Sequence, residues 1–275
     1  MNALRSALIC ACALSLAACS RDTDGTPFEP DPLAALRFIN AVPDTMAMDY
    51  RIVSSVTNAG MFDAEFRTNQ RFYTPILAGQ HMVTVFLSST DPAIASTVVA
   101  EETLNLTAGT NYTFIHSGFM RTGGTPAAAI SVVEDSPPTP GGGMVALRVL
   151  NLAVGQPAMD VFVGTDDASE LPGTTATWTD VAAGSTTDYV QMGVDALRLA
   201  TTETGLTTPA LVANTAAPEG DEATGTSSPI PGVMIEGSVL TMVILPPSVA
   251  GSLAPQGGAF DVPGVVFLVD RRPDN

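Results

Sequence analysis

Lysine is absent from this 275-residue sequence. All 11 basic residues are arginine, set against 28 Asp and Glu, so the formal net charge is −17. A chain this acidic, with no basic stripe, repels phosphate and has no counterions to release, which excludes nucleic acid as a partner. Charged residues make up only 14% of the chain and apolar residues 45%. The first figure is too low for a coiled coil, and the second too high for a chain unfolded throughout. There is 1 Trp, and the 2 His are His81 and His116. A zinc site draws its ligands from three or four His, Cys or carboxylate groups, so both histidines are read as structural. No G-x-S-x-G elbow is present to raise a serine nucleophile. No catalytic residue, metal site or cofactor is therefore assigned, and no enzyme activity is expected.

Cysteine is nearly absent too. The 3 cysteines are Cys10, Cys12 and Cys19. Past residue 19 nothing remains for a disulfide, a thiolate-held zinc or a cysteine nucleophile. The first 19 residues, which contain all three, read MNALRSALICACALSLAAC. Arg5 precedes an apolar run that is too short for a membrane-spanning helix and fits the core of a secretory signal. The run ends in Leu16-Ala17-Ala18-Cys19, which resembles the lipobox of bacterial lipoproteins. That resemblance implies cleavage after residue 18, lipid attachment at Cys19 and a place in the cell envelope. Ser20, rather than Asp, after the cysteine implies the outer membrane. No other stretch is long and apolar enough to span a bilayer.

Residues 19–34 are polar and broken by Pro27, Pro30 and Pro32, as in a disordered tether. Asp22-Thr23-Asp24-Gly25 looks like the start of a calcium loop but lacks the later ligands. A Pro/Gly linker fills 136–144. It separates 35–135 from 145–272, and the two parts repeat each other. Leu36, Arg37, Asn40, Ala47, Met48 and Asp49 recur as Leu147, Arg148, Asn151, Ala158, Met159 and Asp160. Tyr73 to Phe86 parallels Tyr189 to Ala200, Gly109 to Ile115 parallels Gly237 to Val243, and Val132 to Asp135 parallels Phe267 to Asp270. Within each part, short period-two runs are rich in β-branched and aromatic residues, and glycine turns separate them. The pattern predicts an all-β chain: two tandem Ig-like antiparallel β-sandwich domains of roughly seven strands each, after the signal peptide helix and the tether. Residues 203–231 read as a long loop inserted in the second part.

These motifs resemble a bacterial family, the domain-of-unknown-function family 4397. Its members open on a hydrophobic-Arg-hydrophobic, hydrophobic-Asn strand, followed by a Pro-Asp turn and an Ala-hydrophobic-Asp strand. Leu36-Arg37-Phe38-Ile39-Asn40, Pro43-Asp44 and Ala47-Met48-Asp49 match this opening. Leu77-Ala78-Gly79 and Leu106-Thr107-Ala108-Gly109-Thr110-Asn111-Tyr112-Thr113 match later motifs. The second repeat keeps the opening but has Val154-Gly155 in place of the Pro-Asp turn. The resemblance implies cell-envelope β-sandwich modules and carries over no activity.

A few side chains invite chemistry. Asp49 and Asp160 recur in apolar surroundings and are read as carboxylates held by backbone groups or by Arg37 and Arg148 on a neighbouring strand. Trp178 is read as a half-buried core residue, with sugar stacking alongside Tyr189 as the alternative. Asp166-Asp167 and Glu219-Gly220-Asp221-Glu222 offer weak divalent-ion contacts without a cage. The resulting expectation is a non-catalytic, lipid-anchored envelope protein that displays two β-sandwich modules to an unknown protein or glycan partner. A carbohydrate- or solute-binding lipoprotein is the alternative, and an envelope hydrolase a third.

Overall fold

A computed structural model describes residues 31–54 and 60–273. The signal peptide, Cys19 and the Asp22–Gly25 motif lie outside the described residues. Pro32–Asn275 form one compact unit. Its first half carries β1 (Leu33–Ala41), β2 (Met48–Ile52), β3 (Met61–Ala64), β4 (Thr74–Leu77), β5 (Gly79–Leu87), β6 (Val98–Leu106), β7 (Asn111–Ser117) and β8 (Ala129–Asp135). The second carries β9 (Met144–Asn151), β10 (Met159–Gly164), β11 (Trp178–Val181), β12 (Val190–Gly193), β13 (Arg198–Glu203), β14 (Ala210–Ala216), β15 (Val239–Leu245) and β16 (Gly264–Arg271). The helix α1 (Pro92–Ala95) is a single turn capped by Asp91.

Each half is a sandwich of two 4-stranded sheets. The sheet orders are β4-β1-β7-β8 and β3-β2-β5-β6 in the first half, and β12-β9-β15-β16 and β11-β10-β13-β14 in the second. Strand for strand, the second half copies the first, as the sequence repeat requires. The pairing is antiparallel except for β1 with β7 and β9 with β15, which run parallel. Parallel strands tend to be covered on both faces, and these are. Leu36, Phe38 and Phe114 point into the first sandwich core with Tyr50 and Val83. Leu147, Val149 and Met242 do the same in the second, with Met159 and Leu199.

The alternate residues of the same strands build a third core. Ile39, Ala41 and Ile115 from the first half pack with Leu150, Leu152, Val243, Leu245 and Leu268 from the second. The β1 sheet and the β9 sheet therefore lie face to face, and the molecule has four sheet layers. Loops close the rim of this interface. Arg67 donates to the carbonyls of Pro246, Ala259 and Val262 at 2.6–2.8 Å. The Val249 and Val269 amides donate to the carbonyls of Pro43 and Arg71.

One expectation needs correction. Residues 203–231, read as a loop, contain β14, an edge strand paired to β13 with Val212 buried in the core. Its small Ala, Asn and Thr side chains and two register shifts against β13 hide the period-two pattern. Beyond it, Asp221 bridges to Ile230 and Thr224 to Ser227.

Candidate functional site: the buried charge cluster between the repeats

On β1, position 37 faces the second half, where a guanidinium cannot reach water. Arg37 is completely buried. Its Nη2 donates to Asp270 Oδ1 at 2.6 Å, Nε to Thr113 Oγ1 at 2.8 Å and Nη1 to the Val269 carbonyl at 3.2 Å. The equivalent Arg148 mirrors this. Its Nη2 donates to Asp135 Oδ1, and Nε to Thr241 Oγ1 at 2.8 Å. Each arginine thus reaches across to the carboxylate of the other repeat. Both carboxylates are also capped by hydroxyls. Thr113 and Tyr73 donate to Asp135 Oδ2, and Thr241 and Tyr189 to Asp270 Oδ2. The Arg37 guanidinium lies 4.2 Å from the Tyr73 ring centre, and that of Arg148 4.7 Å from Tyr189.

The cluster contains two arginines, two aspartates, two threonines and two tyrosines, each matched by its twin. Burial works against the charge of Arg148, but Asp270, Tyr189 and Asp135 hold its pKa above the ordinary guanidinium value. Burial, and then the neighbouring carboxylates, push the hydroxyls of Tyr73 and Tyr189 far up, so both stay protonated as donors. A buried ion pair is tolerated only when its remaining hydrogen-bonding capacity is met, and here the hydroxyls meet it. The arrangement holds two sheets in one register.

Of the two partners expected for the aspartates singled out in the sequence, backbone groups are found and Arg37 and Arg148 are not. Asp49 and Asp160 do not meet Arg37 or Arg148. Each accepts a backbone amide from a residue in left-handed conformation on the neighbouring strand. Asp49 takes the amide of Asp63 (φ 48°) at 3.0 Å, and Asp160 that of Asp180 (φ 55°) at 2.9 Å. Asp49 also pairs with Arg51 at 2.6 Å, and Asp160 takes the Gly205 amide at 2.8 Å. In both repeats the register of the strand pair shifts at this point. These carboxylates fasten a bulge. Asp160→Ala should strand two amides and cost roughly 2 kcal/mol, read as a lower urea midpoint with an unchanged slope.

The other recurrent polar residue is a staple. Asn40 Nδ2 donates to the Ala64 carbonyl and its Oδ1 accepts the Val42 amide, while Asn151 repeats this with Val181 and Ala153. In the Pro-Asp turn, Asp44 accepts the amides of Met120 and Arg121. Tyr112 Oη accepts the Thr107 amide across the Ala-Gly turn and resembles a tyrosine corner.

His116 is buried beside Tyr50, with Oη and Nδ1 3.3 Å apart, and burial draws its pKa down to about 4. The imidazole is neutral in the fold, whereas the unfolded chain takes up a proton below about 6.5. Stability therefore falls as pH drops from about 6.5 to about 4, by roughly 3 kcal/mol in all. His116→Asn should flatten that part of the stability–pH curve, measured by urea unfolding at several pH values. An unchanged curve would refute the assignment.

His81 lies between Ser54 Oγ at 3.2 Å and the Leu77 carbonyl at 2.7 Å. Ser54 Oγ also accepts the Met82 amide. No hydrogen bond joins the ring to a carboxylate among the described residues. Trp178 is half-buried against the second core and donates to the Asp188 carbonyl. Asp166 is engaged within its own loop by Ala168 and Ser169. No group of three or more His, Cys, Asp or Glu among the described residues is arranged to hold a metal ion.

The motifs that recur between the two halves are thus turns, staples and an interface. Residues 34–162 match the model of DUF4397, a domain of unknown function. The DUF4397 match runs from β1 through β8, crosses the linker and ends on β10, two residues past the recurring Ala-Met-Asp of the second repeat. No curated protein matches the chain.

Proposed function

We propose that this is a non-catalytic cell-envelope lipoprotein, anchored at the outer membrane through Cys19, whose four-layered body serves as a structural or adhesive interaction module. The observation that carries the reading is the Leu16-Ala17-Ala18-Cys19 sequence at the end of a short apolar run, followed by a proline-broken tether. Fourteen or so residues of extended tether reach about 45 Å, enough to hold the body clear of a bilayer. The use of the recurrent polar residues supports a module rather than an enzyme. Arg37, Arg148, Asn40, Asn151, Asp49 and Asp160 are all occupied in holding strands together.

The test is metabolic labelling of cells producing the full chain with an alkyne fatty acid, comparing wild type with Cys19→Ser. The expected result is label on the wild type only, with the variant accumulating as precursor. Absence of label from the wild type, or equal label on both, overturns the proposal. Protease shaving of intact and of opened cells then tells which side of the membrane the body faces, and so whether its partner is sought outside the cell or in the periplasm.

A further inference from the structure

Four loops meet at one end of the body. Strands β1 and β7 run parallel, as do β9 and β15. Segments 42–47 and 118–128 therefore leave one sheet on the same side, and 152–158 and 246–263 leave the other. Contacts join the two sets. The Val249 amide donates to the Pro43 carbonyl, and the ring edge of Phe119 lies over Gly155, where an added Cβ would meet it at 3.4 Å. Between the loops lies a cleft of about 320 Å3, lined from both repeats by Phe119, Arg121, Thr125, Gln156, Ser248 and Val249 among others.

The duplication provides an internal control, because the fold closes the equivalent place. On the Pro43 side, Val249 bonds the turn of the first repeat to the loop of the second, and Arg67 ties three carbonyls of the same loop. On the Gly155 side both ties are missing. Among the described residues no backbone hydrogen bond joins 118–128 to 152–158. The twin of Arg67 is Gly184, since each donates its amide to the carbonyl of the recurrent asparagine, Asn40 or Asn151. A glycine has no arm to reach the facing loop.

The polar side chains around this opening are unspent. Thr125 Oγ1 and the Gln156 carboxamide have no hydrogen-bond partner among the described residues. Ser248 Oγ is buried with none. Nε of Arg51 and Nε of Arg67 are also buried without a partner, but both guanidiniums bond through their other nitrogens. Ser248 has only the one hydroxyl. A buried hydroxyl left unmatched works against the free protein, and a bound molecule that meets it removes that penalty. The charge in the lining is largely answered. Arg121 Nε stands 4.0 Å from Asp44, and its guanidinium carbon 4.8 Å from the centre of the Phe119 ring. No carboxylate lines the cleft, and Val154, Pro247 and Val249 join Phe119 in giving it apolar walls.

We infer that this cleft binds the terminal sugar of a neutral glycan. A pyranose ring carries apolar C–H faces and a rim of hydroxyls that each donate and accept. That matches a carboxamide and two hydroxyls set among apolar walls. The volume sits at the lower end of the roughly 300–1,000 Å3 of pockets that enclose a small ligand, so it takes an end unit rather than a length of chain. Arg121, Thr125 and Gly155 are exposed, which leaves the rest of the glycan free to extend into water. The chain's net charge of −17 repels acidic sugars. The inference rests on the interaction-module reading and gives it a ligand class, but it does not depend on Cys19.

The test is calorimetric titration of the full chain with maltose, cellobiose and lactose, and with digalacturonate as the acidic comparison. The expected result is saturable binding of at least one neutral disaccharide, with a Kd on the order of millimolar, and none of digalacturonate. Gln156→Ala should weaken that binding about tenfold, the loss of one hydrogen bond. Ser248→Ala should weaken it by a similar factor while holding or raising the melting midpoint of the free protein, because the hydroxyl removed has no partner there. Thr122→Ala, on the same loop but outside the lining, should bind as wild type does. No binding of any neutral disaccharide overturns the inference. So does binding of digalacturonate as tight as that of the neutral sugars, or binding that survives both Gln156→Ala and Ser248→Ala. Fatty-acid labelling at Cys19 and this titration fail independently of each other.

Discussion

A protease site placed within residues 136–143 of the folded protein and cut there should yield two fragments that still elute as one species and part only in denaturant. Eight strands lie on each side of that cut, and each half has its own core. Between them lies a third core of eight buried apolar residues beside the crossed pairs Arg37–Asp270 and Arg148–Asp135. Separation would expose that apolar face and break both close pairs across the interface, leaving only the longer Arg37–Asp135 and Arg148–Asp270 contacts at 3.7 and 3.9 Å within the halves. Phe72 of the first repeat also packs into the core of the second. Native mass spectrometry of the nicked sample decides the matter. Two separate fragments in buffer would show that the interface does not hold without its connection.

The second large effect is expected in the charge cluster. Asp270→Asn removes the close carboxylate of buried Arg37, leaving only Asp135 at 3.7 Å, and should cost about 3–5 kcal/mol, a large share of the 5–15 kcal/mol typical of a folded domain. Asp135→Asn, acting on Arg148, should cost about the same, because the two halves of the cluster are twins. Arg37→Met should cost less. Asp270 would keep hydroxyl donors from Thr241 and Tyr189 at 2.5 and 3.0 Å, whereas Arg37 in the aspartate variant keeps Thr113, the Val269 carbonyl and Asp135 at 3.7 Å. Urea unfolding of the three variants measures the order. A loss below about 1 kcal/mol for either aspartate would show that the guanidinium finds water in the folded state.

Much of this architecture is legible in the sequence, and for a physical reason. Duplication doubles every structural constraint, so Arg37 with Arg148, Tyr73 with Tyr189, Thr113 with Thr241 and Asp135 with Asp270 all fall into aligned segments. What the alignment lacks is the third dimension. Arg37 and Asp270 are separated by 233 positions, and no local pattern links them. Asp49, in the same opening motif, is the carboxylate nearest Arg37 in sequence, but it faces a bulge in the outer sheet. The signal that could have found the true pairing lies in β1 itself. An arginine flanked by Leu36 and Phe38, with Ile39 and Ala41 beyond on its own face, marks a strand buried on both sides. A guanidinium there demands a carboxylate from another layer. The edge strand β14 is not legible because its Ala, Asn and Thr carry too little apolar contrast to show a period of two.

The connection at 136–143 has a further consequence, one of mass action. Two separate chains closing such a face would do so only above some threshold amount, and at low copy number would lie apart. A short tie of this kind sets a local concentration on the order of millimolar for each face toward the other, whatever the bulk amount. The four-layered body is therefore indifferent to dilution. A single molecule, however dilute, holds the same shape as one in a crowd.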